Sequence, residues 1–285
     1  MNSASPLRYP GGKAAISELL ANVRRLNGLG GTSVAEPFAG GAGASLRLLY
    51  LEETPSIYIN DADPAIHDFW QCVVNQVEPF LETLRKSRAS MAEWRRQRAI
   101  YRSGARASQL RRGFAAFYLN RCNHSGIIMN GGPIGGINQT GEWKIGARYN
   151  KEALIERCSK VAEYRERIEV SCEDGLNFIQ TLDPSETFFF IDPPYFMKGP
   201  ELYLNSLDAA YHARLAECLH EMEEEAWILT YDDCPEIRAM YRGWARIRPF
   251  SIRYSASQRR PGKEVLITPR WMDLPRDQAS AAVTW

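Results

Sequence analysis

Four consecutive residues, Asp192-Pro193-Pro194-Tyr195, join a carboxylate, two rigid imino acids and an aromatic ring directly after the apolar run Phe188-Phe189-Phe190-Ile191. A run that short and bulky reads as a buried strand of a parallel sheet. Proline has no amide hydrogen and a fixed φ, so backbone carbonyls there can turn to a ligand instead of entering a ladder. The Asp192 carboxylate and the Pro193 carbonyl then suit both hydrogens of one planar amine, and Tyr195 suits the face of the ring that carries it. An exocyclic amino group on a nucleobase has that shape, which makes Asp192, Pro193 and Tyr195 the candidate catalytic residues. Taken alone, the tetrapeptide reads equally well as a strand ending in a tight turn, since Asp and Pro are common turn residues.

A second constellation lies near the start of the chain. Glycines 40, 41 and 43 follow Glu36-Pro37-Phe38-Ala39 and allow a sharp turn with close approach of backbone to a ligand. A dinucleotide site would read Gly-x-Gly-x-x-Gly and offer its amides to a pyrophosphate. Here the order is Gly-Gly-x-Gly, preceded by Glu36, whose carboxylate would repel pyrophosphate but suits an ammonium group. Asp61 follows the next apolar run, residues 57–60, and stands where an acid takes the two hydroxyls of a ribose. An ammonium and a ribose together describe S-adenosylmethionine better than NAD. Packing glycines are the alternative for the loop by itself.

The elements that must position these groups follow an α/β rhythm. Residues 32–37 read as a strand, 44–51 as a helix, 57–60 as a strand, and a helix follows through Trp70. Residues 75–113 are polar, basic and helical in pattern. Residues 120–149 are rich in Gly and Asn with strong turn signals, and so long a connection points to a functional loop. Strands resume at 168–172, 188–191 and 227–230, the last followed by Tyr231-Asp232-Asp233. Residues 251–254 and 265–268 read as a closing antiparallel pair around the basic loop Arg259-Arg260-Pro261-Gly262-Lys263. The tail after Asp273 reads as poorly ordered. The expected layout is a catalytic α/β domain from 1–74 and 150–275, an inserted helical and loop subdomain at 75–149, and a tail at 276–285.

Bulk properties narrow the classes. Net charge is only +1, yet ten lysines and arginines between Arg85 and Arg112 face a single acid, Glu93. Such a segment can present a face to phosphates, although a solvated helix would carry the same charges. The six cysteines form no Cys-x-x-Cys pair and the four histidines no ligand spacing, so no metal site is expected. No apolar run approaches the roughly 20 residues of a membrane span, and the opening residues lack a signal-peptide layout. The expected location is the cytoplasm, with no membrane partner.

Taken together, Arg8-Tyr9-Pro10-Gly11-Gly12-Lys13, Glu36-Pro37-Phe38-Ala39-Gly40, Asn60-Asp61, Tyr118-Leu119-Asn120-Arg121 and Asp192-Pro193-Pro194-Tyr195 resemble the Dam-like family of adenine-N6 DNA methyltransferases. The motifs occur in the family's order, and the resemblance spans residues 7–268. The resemblance implies a Rossmann-like S-adenosylmethionine methyltransferase sheet with helices on both faces, plus an inserted DNA-recognition subdomain. It implies transfer of a methyl group to a flipped-out adenine in duplex DNA, in the cytoplasm beside the nucleoid, with a cognate restriction enzyme as a partner such a role would have. Tyr9, Lys13, Glu36, Phe38, Gly40, Asp61 and Asp192 match cofactor positions, and Asp174 matches more loosely as a contact to the cofactor adenine. Arg8, Arg121, His124, Asn130, Lys144, Arg148, Arg259 and Arg260 are the DNA-contact candidates. Ile128, Met129 and Asn130 stand where GATC-reading members tend to carry an arginine, so GATC specificity does not follow from the resemblance and the recognition sequence stays open. An RNA adenine methyltransferase and a catalytically inactive DNA-binding relative stay open as alternatives. A glutamine methyltransferase would usually carry Asn in place of Asp192.

Overall fold

In a computed structural model, residues 4–8, 16–196, 207–252, 264–276 and 283–284 are described. In chain order the elements are α1 (Ser17–Leu26), β1 (Ser33–Glu36), α2 (Gly43–Tyr50), β2 (Ile57–Asn60), α3 (Pro64–Asn75), α4 (Val77–Lys86), α5 (Met91–Ser103) and α6 (Gln109–Cys122). Then follow α7 (Lys151–Glu163), β3 (Ile168–Ser171), α8 (Gly175–Thr181), β4 (Thr187–Ile191), α9 (Ala209–Glu221), β5 (Trp227–Asp232), α10 (Pro235–Tyr241), β6 (Arg246–Ile252), β7 (Glu264–Thr268) and β8 (Val283–Thr284). The chain forms two compact units, residues 1–12 with 61–172 and residues 13–60 with 173–285.

Within the second unit the strands of the sheet run in the order β2-β1-β4-β5-β7-β6-β8. The β2-β1-β4-β5 part is parallel, while β7 is antiparallel to both β5 and β6. This is the expected Rossmann-like α/β architecture. β4 is the reason it holds: all five of its residues, Thr-Phe-Phe-Phe-Ile, are buried, as a central parallel strand requires. Its Phe189 and Ile191 share a buried cluster with Ala35, Trp227, Leu229, Val265 and Ile267. Strand order reverses at β1, which sends the chain to β2 on one side while β4 pairs on the other. In open α/β sheets, ligands bind outside the carboxyl ends of the strands at such a reversal. Here those ends carry Glu36 and Asp192.

The first unit is helical apart from β3. Phe69, Phe80, Phe114 and Phe117 meet at its centre, with Phe69 and Phe117 stacked at 5.7 Å. Gly113 lets α6 lie directly on α3, since a Cβ there would come within 2.6 Å of the Asp68 carbonyl oxygen. Beside it Arg112 Nε donates to Asp68 Oδ2 at 2.6 Å.

Several boundaries differ from the sequence expectation. β5 continues to Asp232, because Tyr231 and Asp232 pair with Val265 and Glu264 of β7. β6 starts at Arg246, where register with Thr268 begins, and not at residue 251. The expected tail contains β8, whose Val283 and Thr284 pair with Ile252 and Ser251. Asn120 and Arg121 sit in the last turns of α6, ahead of the glycine-rich loop. No described helix is long and apolar enough to cross a membrane.

Candidate active site

The loop between β1 and α2 is held by unusual backbone. Gly40 has φ +47° and Ala42 has φ +45°, the latter a left-handed residue that costs about 1 kcal/mol without glycine's freedom. Glu36, the last residue of β1, is buried, and its Oε1 accepts the Ser45 amide in the first turn of α2 at 2.7 Å. Burial pushes its carboxyl up to about 7, against the downward pull of the Ser45 hydrogen bonds, and the negative charge of Asp192 adds to the rise. A carboxyl in that condition near neutrality favours a cationic ligand. Asn60, fully buried at the end of β2, staples the loop. Its Nδ2 donates to the Pro37 carbonyl at 2.9 Å and to the Glu173 carbonyl at 3.0 Å, while Oδ1 accepts the Glu173 amide at 2.9 Å.

Phe38 lies over Gly175 so closely that a Cβ at Gly175 would enter its ring. The same ring meets Tyr211 edge-on at 6.4 Å. Asp174 is exposed and caps α8, its Oδ1 accepting the Leu176 amide at 3.0 Å. In the first unit, Asp61 Oδ1 accepts the Asp63 amide at 2.9 Å, and Asp63 in turn caps α3 through the Ala65 amide at 2.8 Å.

Asp192 stands one residue past β4 and is half-buried. Its Oδ1 accepts the Thr230 hydroxyl of β5 at 2.5 Å. Pro193 is buried, and Tyr195 is half-buried against the core cluster. The turn closes at Phe196, whose amide donates to Asp232 Oδ1 at 3.1 Å. Sequence reasoning missed Thr230 and Asp232. The signal was available in their two-residue spacing, which puts both on one face of a strand, but ending the strand at Thr230 hid it.

The DNA-contact candidates of the first unit divide into two kinds. Arg121 is buried, with Nε and Nη2 donating to the Arg148 carbonyl at 2.9 and 2.7 Å, so it braces the loop from within. Lys144 is exposed, yet its Nζ holds the Gln139 and Gly141 carbonyls at 2.8 and 2.9 Å. His124, Asn130 and the Arg148 side chain are exposed. Arg8 is tied through its backbone to the Asn120 side chain, which accepts its amide at 2.7 Å and donates to its carbonyl at 2.6 Å. Burial and the nearby charge of Arg148 lower the Arg8 guanidinium below its ordinary range. Its Nη1 is buried without a hydrogen-bond partner. Arg121 is pushed down to about 10, first by burial and then by Arg8, with Arg157 and Arg148 adding to the repulsion. Like charges gathered so closely make an anion-seeking corner. Tyr9, Lys13, Arg259 and Arg260 lie outside the described residues. Among the described residues no group of three His, Cys, Asp or Glu could hold a metal ion.

A family model described as D12 class N6 adenine-specific DNA methyltransferase matches residues 9–259. No curated protein matches the chain. Among solved structures, the rRNA methyltransferase aviRa from Streptomyces viridochromogenes is similar at 12% identity and a TM-score of 0.32, covering 87% of this chain and 83% of that chain. A likeness that faint bears on neither fold nor function.

Proposed function

The chain belongs to the D12 class of N6 adenine-specific DNA methyltransferases, and from that premise we propose that Asp192, Pro193 and Tyr195 receive a flipped-out adenine from duplex DNA and S-adenosylmethionine donates the methyl group. The observation that carries the residue assignment is the pairing of Asp192 with Thr230 at the carboxyl end of β4, beside the strand that ends in Glu36.

The cofactor assignment rests on fit. A buried carboxyl raised toward neutrality and a glycine loop with left-handed backbone suit a ligand that brings an ammonium close to the chain. Glu36 would take that ammonium, Phe38 and Gly40 would line the loop, and Asp174 would reach the cofactor adenine. The family pattern adds Asp61 for the ribose, with Tyr9 and Lys13. S-adenosylmethionine, when bound, supplies a methyl group already activated on a sulfonium. The protein's own task is therefore chiefly positioning.

The adenine amine is a poor nucleophile because its lone pair is delocalised into the ring. With one N–H held by Asp192 and the other by the Pro193 carbonyl, the nitrogen can pyramidalise and free that pair. Tyr195 stacks on the base and holds it out of the duplex. The Asp192 carboxylate also offsets positive charge that grows on nitrogen, and the methylated nitrogen then sheds one proton to solvent.

DNA contact is assigned to residues 75–149 and to Arg8. The exposed Arg88, Arg95, Arg102 and Arg106 offer phosphate contacts. Exposed Trp143 and Ile137, on a loop pinned by Gln139 and Lys144, offer apolar contacts to bases. With Ile128, Met129 and Asn130 in place of an arginine, the recognition sequence differs from GATC in this reading. The work is placed in the cytoplasm at the nucleoid, with a restriction enzyme of the same sequence preference as the partner.

The test is transfer of radiolabelled methyl from S-adenosylmethionine to duplex DNA and to RNA of matched sequence. The expected product is N6-methyladenine in DNA alone. Label in RNA alone would overturn the reading.

A further inference from the structure

β5 is buried along its length, yet two of its last three residues are polar. Burying a hydroxyl or a carboxylate in a sheet is unfavourable unless each is hydrogen-bonded. Packing alone would be served by valine or leucine. Both polar groups instead go to one place. Thr230 Oγ1 donates to Asp192 Oδ1 at 2.5 Å, and Asp232 Oδ1 accepts the Phe196 amide at 3.1 Å. Alternate residues of a strand share a face, so one strand grips the Asp-Pro-Pro-Tyr-Phe turn at its first and last residues. A further hold comes from Tyr231, whose hydroxyl meets His212 Nδ1 at 2.6 Å, with the His212 ring 5.2 Å from that of Phe196.

We propose that Thr230 and Asp232 are positioning residues for methyl transfer: Thr230 fixes the plane of the Asp192 carboxylate toward the target amine, and Asp232 fixes the far end of the turn that carries Tyr195. The proposal rests on Asp192 being the amine acceptor. An ionised carboxylate only accepts, so the hydroxyl must donate, and its direction is set. The terminal torsion of an aspartate is otherwise broad. Losing the donor removes one constraint on the plane of the carboxylate, which costs alignment in the transition state more than it costs binding.

The experiment compares wild type, Thr230→Val and Thr230→Ser for single-turnover methyl transfer to duplex DNA, cofactor affinity, DNA affinity and thermal melting. Valine keeps the shape and removes the donor, while serine keeps the donor. The expected result for Thr230→Val is a rate lower by about 10- to 100-fold with both affinities within about twofold of wild type. Thr230→Ser is expected to recover most of the rate. A Thr230→Val enzyme as fast as an active wild type would overturn the clamp and leave the adenine reading standing. So would a loss of rate matched by equal losses of affinity and melting temperature and not recovered by serine. A wild type that transfers no methyl to adenine overturns the underlying reading, and the clamp with it.

Discussion

Replacing Glu36 with glutamine tests the cofactor loop from two directions. The carboxyl is buried and raised from an ordinary 4.5 to about 7, mainly by loss of solvent. Each pKa unit corresponds to about 1.4 kcal/mol, so ionising this group in the folded protein costs about 3 kcal/mol. The sign follows from proton counting. Between the two values the folded chain keeps a proton that the unfolded chain has lost. Stability therefore falls as pH rises from about 4.5 through about 7, and levels off above that. Glutamine keeps an oxygen for the Ser45 amide and cannot ionise.

Chemical denaturation of wild type and Glu36→Gln, without cofactor, from about pH 4 to about pH 8.5 isolates this group by difference. The variant is expected to be nearly equal to wild type at the acid end and more stable by about 3 kcal/mol at the alkaline end. Added S-adenosylmethionine should narrow that gap, since ligand binding stabilises the native state and the ammonium favours the ionised wild-type carboxylate. Cofactor affinity of the wild type should weaken as pH falls below about 7, and that of the variant should stay flat. Parallel stability curves across the whole range would refute the buried-acid argument. Equal cofactor affinity of the two proteins at the alkaline end would refute the ammonium role.

Three further substitutions probe other parts of the account. Gly175→Ala should push the Phe38 ring off its seat, lowering cofactor affinity about tenfold by calorimetry, with an overpacking cost of about 1–3 kcal/mol in denaturation. Asn60→Ala removes three hydrogen bonds that join the loops at Pro37 and Glu173. The orphaned backbone groups should lower unfolding free energy by about 2–4 kcal/mol, read from the denaturant midpoint. Arg148→Ala should weaken DNA binding and reduce the slope of log affinity against log salt by about 1, measured by titration in a salt series.

Much of the sheet was legible because parallel strands leave strong local marks. The Phe-Phe-Phe-Ile run and the acid that follows identify β4 without any long-range knowledge, and 57–60 coincides with β2. Of the closing pair, 265–268 was legible as β7, but its partner segment is 246–250, and the expected run at 251–254 overlaps β6 only at Ser251 and Ile252, which pair with β8. What escaped was set by partners distant in sequence. β5 runs on to Asp232 only because β7 pairs with it, and β8 exists only because β6 offers an edge. For the same reason Arg121 reads as a DNA contact in sequence and stands buried in the structure, where the Arg148 carbonyl takes its guanidinium. Asn60 and Asn120 carry family motifs, but their work as staples between backbone segments needs coordinates to be seen.

The central claim is that Asp192 serves methylation of adenine in a short DNA sequence. Modification-sensitive sequencing of genomic DNA from a methylation-free host expressing wild type or Asp192→Ala tests it most directly. The account predicts N6-methyladenine confined to one short motif other than GATC with the wild type, and none with the variant. Equal methylation by both proteins, or none by either, would contradict it.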